Sequence, residues 1–473
     1  MAPLENAAIV SPAALTASQI AELFRPVVHR VLTDADSLLN YGRDWTRAED
    51  PAPSCILLPR SVEEVQAIVR LANEHEIGLV PSGGRTGLSG GALATRGEAV
   101  VAMDAMNQIL EFNPAERSVR VQAGVITGQL QQYAEDQGLY YPVDFAAAGS
   151  SQIGGNVATN AGGIKVIRYG MSRQWISGLK VVTGAGDVLE LNKGLTKNAT
   201  GYDLRHLFIG SEGTLGIICE ATVQLTRQAT NLSVLVLGVP DFDAVMNVLH
   251  AYQDKLDLTA FEFFSDKAMG HVLAHGLSRP FAESTPFYVL IEFENTSEAV
   301  ETEAMNLFEA ALEKGWVIDG VMSQSVQQAQ DLWGLRERIS ESIAQYTPYK
   351  NDISVTVARV PEFVKEVDEI VQSRYPDFEV IWFGHIGDGN MHLNILKPAA
   401  VSREDFLERC KIVSDWVYAA VQKHGGAISA EHGVGSVKRP FLHYSRSETE
   451  QAYLRAIKAC FDPKGIMNPG KTI

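Results

Sequence analysis

The sequence predicts an α+β protein of more than one domain, and three observations carry that expectation. With 473 residues, 46% of them hydrophobic, the chain can fill two or three cores. Residues 54–80 read as strand, helix, strand, which implies a crossover under an α/β layer. Beyond Thr226–Asn231 the glycine density falls, and long helical patterns alternate with strands.

Cys55–Leu58 is a continuous apolar run. Ser61 and Glu64 have capping-box spacing ahead of Val65, Ile68, Val69 and Ala72, which recur at helical intervals. Ile77–Val80 is the next strand, with Pro81 ending it. The stretch from Pro81 to Gly216 is glycine-rich, broken by the β-type runs Ala99–Met103, Val119–Val121 and Leu179–Val182. Strands follow at Leu232–Val239, Ala260–Phe264 and Phe287–Phe293, with helices at Phe242–Tyr252, Glu298–Glu313 and, unbroken, Val326–Tyr346. From Gly425 the chain is again glycine-rich before a helix and an irregular tail. The expected division is 1–228, 229–424 and 425–473.

Formal charge is −17, from 40 basic and 57 acidic residues. Such a surface repels nucleic acid and anionic lipid, and a small anionic substrate would need a local cationic cluster. Cys55, Cys219, Cys410 and Cys460 are far apart with no C-x-x-C, which argues against a disulfide frame or zinc ribbon and for a reducing compartment. The N-terminal MAPLENAAIVSPAALTASQIAELF lacks a basic region followed by an apolar run, and no segment approaches a membrane span. A cytoplasmic globular protein is expected.

Pro81-Ser-Gly-Gly-Arg-Thr-Gly-Leu-Ser-Gly-Gly91 follows a strand directly. Gly83, Gly84 and Gly87 let backbone approach a ligand, and successive N–H groups can cradle a pyrophosphate with the Ser82 and Thr86 hydroxyls. The spacing is neither G-x-G-x-x-G nor a P-loop, and an ordinary glycine turn explains it equally well. Two further runs, Gly149–Gly163 and Gly210–Gly216, are also rich in glycine and small polar residues. They are poor core material but suit backbone lining a long planar ligand such as FAD. Gly465–Thr472 matches the P-loop string, yet only Ile473 follows, so no helix could receive phosphates.

In Val380–Leu396, Asp388-Gly389 signals a type I′ turn between β-prone runs. Centred there, the hairpin sets His385 opposite His392, about 5 Å apart at Cβ, with Asn394 on the same face. Two imidazoles so placed chelate a metal or are simply a structural pair. Glu431-His432-Gly433-Val434-Gly435 offers a third ligand, Glu431, and a base, His432, which would complete a His₂Glu site with open positions. Arg336 and Ser340 lie at i, i+4 on the expected long helix, and Lys350 in a loop before a strand Ile353–Val357. An arginine there commonly pairs with a neighbouring acid, Glu337 or Glu341. With Lys350 it also suits a second substrate carboxylate.

The strings PSGGRTGLSGG, GSSQIGGNVATNAGG, NATGYDLRHLFIGSEGTLGI, GHIGDGNMHLNI, EHGVGSVKRPFL and FDPKGIMNPGKTI occur in order. Together they resemble the vanillyl-alcohol oxidase/p-cresol methylhydroxylase flavoprotein family, over nearly the whole chain from about residue 50. The resemblance implies a two-subdomain FAD-binding domain, formed by the N-terminal half and the returning C-terminal segment, with an inserted ferredoxin-like α+β substrate domain. It implies Ser82, Gly83, Gly84, Arg85, Thr86 and Gly87 at the pyrophosphate. Pro142, Asp144, Ser150, Gly154, Gly155, Thr159 and Gly162 would border the flavin and its ribityl chain. Glu212 and Ile217 would lie by the adenosine and Asn468 near the isoalloxazine. Pro81–Leu93 holds no histidine, so FAD is expected unattached.

The resemblance also implies His385, His392 and Glu431 as ligands of a divalent metal, with Zn²⁺ expected. Arg336, Ser340 (Thr in relatives) and Lys350 would contact a distal carboxylate, Asn394 the substrate, and His432 would be the base. The implied activity is oxidation of a small D-2-hydroxy acid, D-2-hydroxyglutarate first and D-lactate or glycolate as the alternative. An electron-transfer flavoprotein or the quinone pool is the implied acceptor, and a homodimer the expected assembly. From other classes, His₂Glu alone would suit a metal-dependent hydrolase, and the glycine loops alone a non-catalytic flavin carrier.

Overall fold

This computed structural model describes residues 15–46 and 49–473; residues 1–14, most of the stretch read above for a leader, lie outside it. The first sheet contains β1 (Arg30–Leu32), β2 (Cys55–Leu58), β3 (Leu79–Ser82) and β4 (Ala99–Ala102) in the order β1-β2-β4-β3. β2 and β3 run parallel to β4, and β1 is antiparallel to β2. The crossover helix Val62–His75 buries Val65, Ile68, Val69 and Ala72 on this sheet, the apolar face its spacing predicts. Ser61 caps it by accepting from Glu64 N (3.3 Å). The capping box is not closed, because the Glu64 carboxylate accepts from Arg60 N and His29 N instead. Pro81 does not end its strand. It lies within β3, at the sheet edge, where a missing N–H breaks no ladder bond.

The second sheet is antiparallel: β5 (Ile109–Asn113), β6 (Ser118–Gln122), β7 (Ile176–Thr183), β8 (Val188–Leu191) and β9 (Gly216–Gln224), in the order β5-β6-β9-β7-β8. Part of the Gly149–Gly163 run is not extended but forms the helix Ile153–Thr159. A Cβ on Gly154 would stand 2.6 Å from the Ala123 Cβ, so glycine is required for this helix to pack.

The third sheet holds β10 (Leu232–Val239), β11 (Leu258–Ser265), β12 (Phe287–Glu294), β13 (Asp319–Met322), β14 (Tyr349–Ser354), β15 (Glu379–Gly384) and β16 (Asn390–Leu396), ordered β13-β10-β12-β11-β15-β16-β14. The first four strands in that order, with the helices Phe242–Gln253 and Glu298–Glu313, form a ferredoxin-like unit, which β15, β16 and β14 extend. The expected helix 326–346 is three pieces: Val326–Glu337, Ile339–Ser342 and a turn Ala344–Tyr346, breaking at Arg338 where ψ is near −1°. The class is α+β, as expected.

After the helix Glu448–Phe461 the chain returns to the first sheet. Leu79 N donates to Ile466 O (2.8 Å) and Asn468 N to Leu79 O (2.7 Å), so the tail runs beside β3. Asp462, 2% exposed, holds this return: its oxygens accept from Ile466 N and Met467 N, both at 3.0 Å, and from Lys458 Nζ at 2.8 Å. Breaking such a buried, paired carboxylate costs about 3 kcal/mol. Asp462→Ala is therefore expected to lower the unfolding free energy by about that much in urea titration, and a loss below about 0.5 kcal/mol would show the tail to be held otherwise.

Candidate active site

A cleft opens between the first two sheets, lined by Ser82, Gly83, Gly84, Arg85, Thr86 and Gly87, by Gly154, Gly155 and Thr159, and by Glu212 and Ile217. Buried Ser82 Oγ and Gln152 Oε1 face this region without partners, and such atoms call for a ligand's polar groups. A Cβ on Gly155 would meet nothing within 4 Å, whereas one on Gly84 would meet Ser150 O at 2.2 Å. Gly84 thus serves close packing of its loop on Ser150, while Gly155 stands beside open space. The Arg85 guanidinium is taken up by Asp104 (3.0 Å), Gly83 O (2.7 Å) and the Tyr41 ring, so its side chain braces the loop. These residues fit an FAD pyrophosphate and ribityl chain.

Pro142, Asp144, Ser150, Gly162 and Asn468 do not line that volume. Pro142 and Gly162 are buried and Ser150 is exposed. Asp144 lies where the second sheet meets the substrate side, beside Lys165 and Glu292, and burial raises its pKa. Asn468 Nδ2 donates to Gly91 O (2.9 Å) and Glu212 O (2.7 Å), leaving a buried Oδ1 unpartnered.

The substrate side is organised by strand register. Phe383, His392 and Asp352 lie abreast on β15, β16 and β14, and Ile381, Asn394 and Lys350 two residues along. Alternation puts all six on one face. Lys350 is therefore in a strand, not in a loop before one, and the predicted strand 353–357 begins four residues earlier, at Tyr349. The hairpin also differs from expectation. Ile386–Asp388 forms a short helical turn, and His392 pairs with Phe383 rather than His385. The longer turn brings the histidines together nonetheless, with ring centroids 5.3 Å apart.

Three imidazole nitrogens converge on one carboxylate oxygen. From Glu431 Oε1, His385 Nε2 is 3.9 Å, His392 Nε2 3.6 Å and His432 Nε2 3.5 Å away. Each ring is turned inward by an acid at Nδ1. Glu262 Oε1 lies 2.7 Å from that of His385, while Asp352 lies 3.9 Å from that of His392 and 3.5 Å from that of His432. Two nitrogens and an oxygen with carboxylates behind the rings is a donor set for a divalent cation. Asp352, His392, Glu431 and His432 also present ligand atoms within 4.8 Å of one another. Asp352 Oδ2, however, already accepts the backbone N–H groups of Ala430 (3.1 Å), Glu431 (3.0 Å) and His432 (2.9 Å), which marks it as the loop's anchor.

Electrostatics follow from this packing. Burial pushes His392 down to about 3, so its ring is neutral and ready to ligate. Burial also opposes charge on His385, but Glu262 outweighs it and raises that pKa to about 9. Burial disfavours the Glu431 carboxylate as well, yet the surrounding histidines hold its pKa below the usual range.

Arg336 is buried and meets Glu262 Oε2 at 2.8 Å, neither Glu337 nor Glu341. Its Nε and Asn394 Nδ2 are buried donors without partners. Ser340, beyond the break at Arg338, is exposed, as is Lys350. Glu212 accepts from Val434 N and Gly435 N, both at 2.8 Å, and so holds the far half of the Glu431-His432 loop.

Sequence reading missed Glu262 and Asp352. Glu262 is an acid inside the strand Ala260–Phe264, otherwise wholly apolar, and that was its available signal. Asp352 was hidden by the misplaced strand boundary.

Comparison with known proteins agrees with this geometry. Residues 53–192 match an FAD binding domain and residues 228–472 the C-terminal domain of FAD linked oxidases. D-2-hydroxyglutarate dehydrogenase of Stutzerimonas stutzeri is 66% identical over 93% of this chain and 96% of its own length. The mitochondrial D-2-hydroxyglutarate dehydrogenase of Bos taurus is 38% identical, over 96% and 83%. A p-cresol methylhydroxylase structure with substrate bound superposes with TM-score 0.76 at 17% identity, covering 98% of each chain, and so shares the fold. The chain is an FAD-dependent oxidoreductase and belongs to the FAD-linked oxidases, in the family of the D-2-hydroxyglutarate dehydrogenases.

Proposed function

We propose that this protein oxidises D-2-hydroxyglutarate to 2-oxoglutarate. The observation that carries the proposal is the convergence of the three imidazoles on Glu431 Oε1, beside a loop tied to the cleft residue Glu212. FAD, bound without a covalent link, supplies the hydride acceptor at flavin N5. His385, His392 and Glu431 would hold a divalent cation, Zn²⁺ by the donor set, which would supply Lewis acidity toward a bound 2-hydroxy acid. His432 accepts the hydroxyl proton as the C2 hydride leaves, imidazole being suited to that transfer near neutral pH. Asn394 donates to the substrate, and Arg336, Ser340 and Lys350 hold the distal carboxylate.

D-lactate or glycolate is the second reading. Arg336 and Lys350 favour the dicarboxylate, because a shorter acid leaves the Lys350 ammonium and the unpartnered Nε of Arg336 without an acceptor. Membership of a flavin-dependent family removes the hydrolase alternative. Electron-transfer flavoprotein or the quinone pool is proposed as acceptor, a homodimer as assembly, and the cytoplasm as compartment, with which four free thiols, one of them exposed, agree. Among the described residues no helix is long and apolar enough to cross a membrane.

In an anaerobic assay the flavin absorbance of the holoenzyme should bleach with D-2-hydroxyglutarate, and slowly or not at all after chelation. Bleaching by D-lactate or glycolate alone would favour the second reading. Lys350 makes no ion pair among the described residues, so its removal tests the clamp without disturbing Glu262. Lys350→Met should lower kcat/KM for D-2-hydroxyglutarate by about 10–100-fold, as loss of a charged hydrogen bond does, and that for D-lactate by little. Equal losses would end the clamp argument. His385, protonated below about 9, must shed its Nε2 proton to ligate, whereas Glu431 and His392 are already deprotonated at neutral pH. Apparent Zn²⁺ affinity should therefore fall about tenfold per unit as pH drops from 8 to 6, and a flat profile would remove His385 from the ligand set.

A further inference from the structure

Glu262 stands between the two ends of the site described above. It lies in β11, beside β15, and its side chain is 1% exposed. One oxygen is 2.7 Å from His385 Nδ1 and the other 2.8 Å from Arg336 Nη2. A single buried carboxylate thus meets a candidate cation ligand and a candidate carboxylate clamp at once.

The two contacts constrain different groups. His385 sits at the start of a tight turn where Gly387 packs on Phe261, a Cβ there standing 2.9 Å from the Phe261 Cβ. Arg336 comes from the last turn of the helix Val326–Glu337 and stacks over Phe383 at 4.9 Å. The two elements also meet at Phe383, two residues before His385, but the Glu262 carboxylate is what faces both the imidazole and the guanidinium. Without Glu262 the imidazole would lose its Nδ1 acceptor and the guanidinium its ion-pair partner, each free to settle by its own packing. Glu262 Oε2 faces Nη2 of Arg336 as an ion pair, and Nε of the same guanidinium is a buried donor with no partner.

We infer that Glu262 is a positioning and specificity-determining residue: by bracing His385 with one oxygen and Arg336 with the other, it fixes the separation between the 2-hydroxy-acid end and the distal-carboxylate end of the site, and so the length of dicarboxylate that fits. The inference rests on the proposed roles of His385 and Arg336. Its role differs from theirs, since Glu262, 1% exposed, acts through both of them.

Two variants test it. Glu262→Gln keeps the shape and an acceptor for His385 Nδ1–H but turns an amide donor toward Arg336 or gives up His385 instead. Glu262→Asp keeps the charge and shortens the reach by one carbon. Bound-flavin absorbance and far-UV circular dichroism establish that each variant is folded. Zn²⁺ affinity, read by chelator competition without turnover, should fall about 10–100-fold in Glu262→Gln, the usual effect of removing a carboxylate behind a ligating histidine. In Glu262→Asp the preference for D-2-hydroxyglutarate over D-malate, one methylene shorter, should fall at least about tenfold, with D-lactate turnover changing less than either dicarboxylate. Unchanged zinc affinity in the first variant overturns the inference, as does a uniform loss on all three acids in the second, which is what damage to packing alone would give. If the wild type bleaches with none of these acids while Glu262→Gln still loses zinc, the substrate reading fails and the brace on His385 stands.

Discussion

The site depends on one buried carboxylate held by backbone amides. Asp352, 1% exposed, accepts three successive N–H groups from Ala430, Glu431 and His432 and so fixes the stretch that carries the Glu431 and His432 side chains. Burial disfavours its charge, but His432, Lys438, His392 and those amides hold it ionised far below the usual carboxylate range. A neutral Asp352 would leave amides facing a weaker acceptor and two imidazoles without an acid at Nδ1. The loop's conformation, and with it the direction of Glu431, follows from this charge.

The same loop joins the two halves of the molecule. Asp352 grips its first half from the third sheet, and Glu212, from the segment before β9, grips Val434 and Gly435. Gly433 is required here: its φ is +85°, and a Cβ would stand 2.9 Å from Glu212 Oε2. Between the two acids, Lys438 Nζ donates to Asp352 O at 3.1 Å and lies 3.7 Å from its carboxylate. A buried lysine there keeps two nearby carboxylates from repelling each other across the junction. The Ala430–Gly435 loop is thus fastened at both ends.

Much of this was legible in the amino-acid sequence, for identifiable reasons. Helical spacing located the crossover helix Val62–His75, whose buried face of Val65, Ile68, Val69 and Ala72 is regular, and also the helix Glu298–Glu313, although only Ala304 and Ala311 of it are buried. His385, His392 and Glu431 were brought together by turn chemistry and glycine content, although the predicted turn was one size too short. What stayed hidden depends on tertiary contact. No local pattern marks Asp352, whose partners are 78–80 residues away. Nothing near Arg338 in the sequence breaks a helix, so the interruption after Arg336 was not foreseeable from spacing. The pairing of Arg336 with Glu262, rather than with an acid on its own helix, likewise comes from sheet and helix meeting.

The return of the tail to β3 bears on how the protein comes to hold its flavin. Asn468 reaches Gly91 O across 377 residues, so the packing behind the glycine loop cannot be finished when that loop first leaves the ribosome. At about 5–20 residues per second, the interval before its partner is synthesised is roughly 20–75 s. Throughout it, the dinucleotide cradle is half-built while the inserted domain is being translated and folded. The cradle backed by this return strand is therefore complete only once the last residues of the chain have been made.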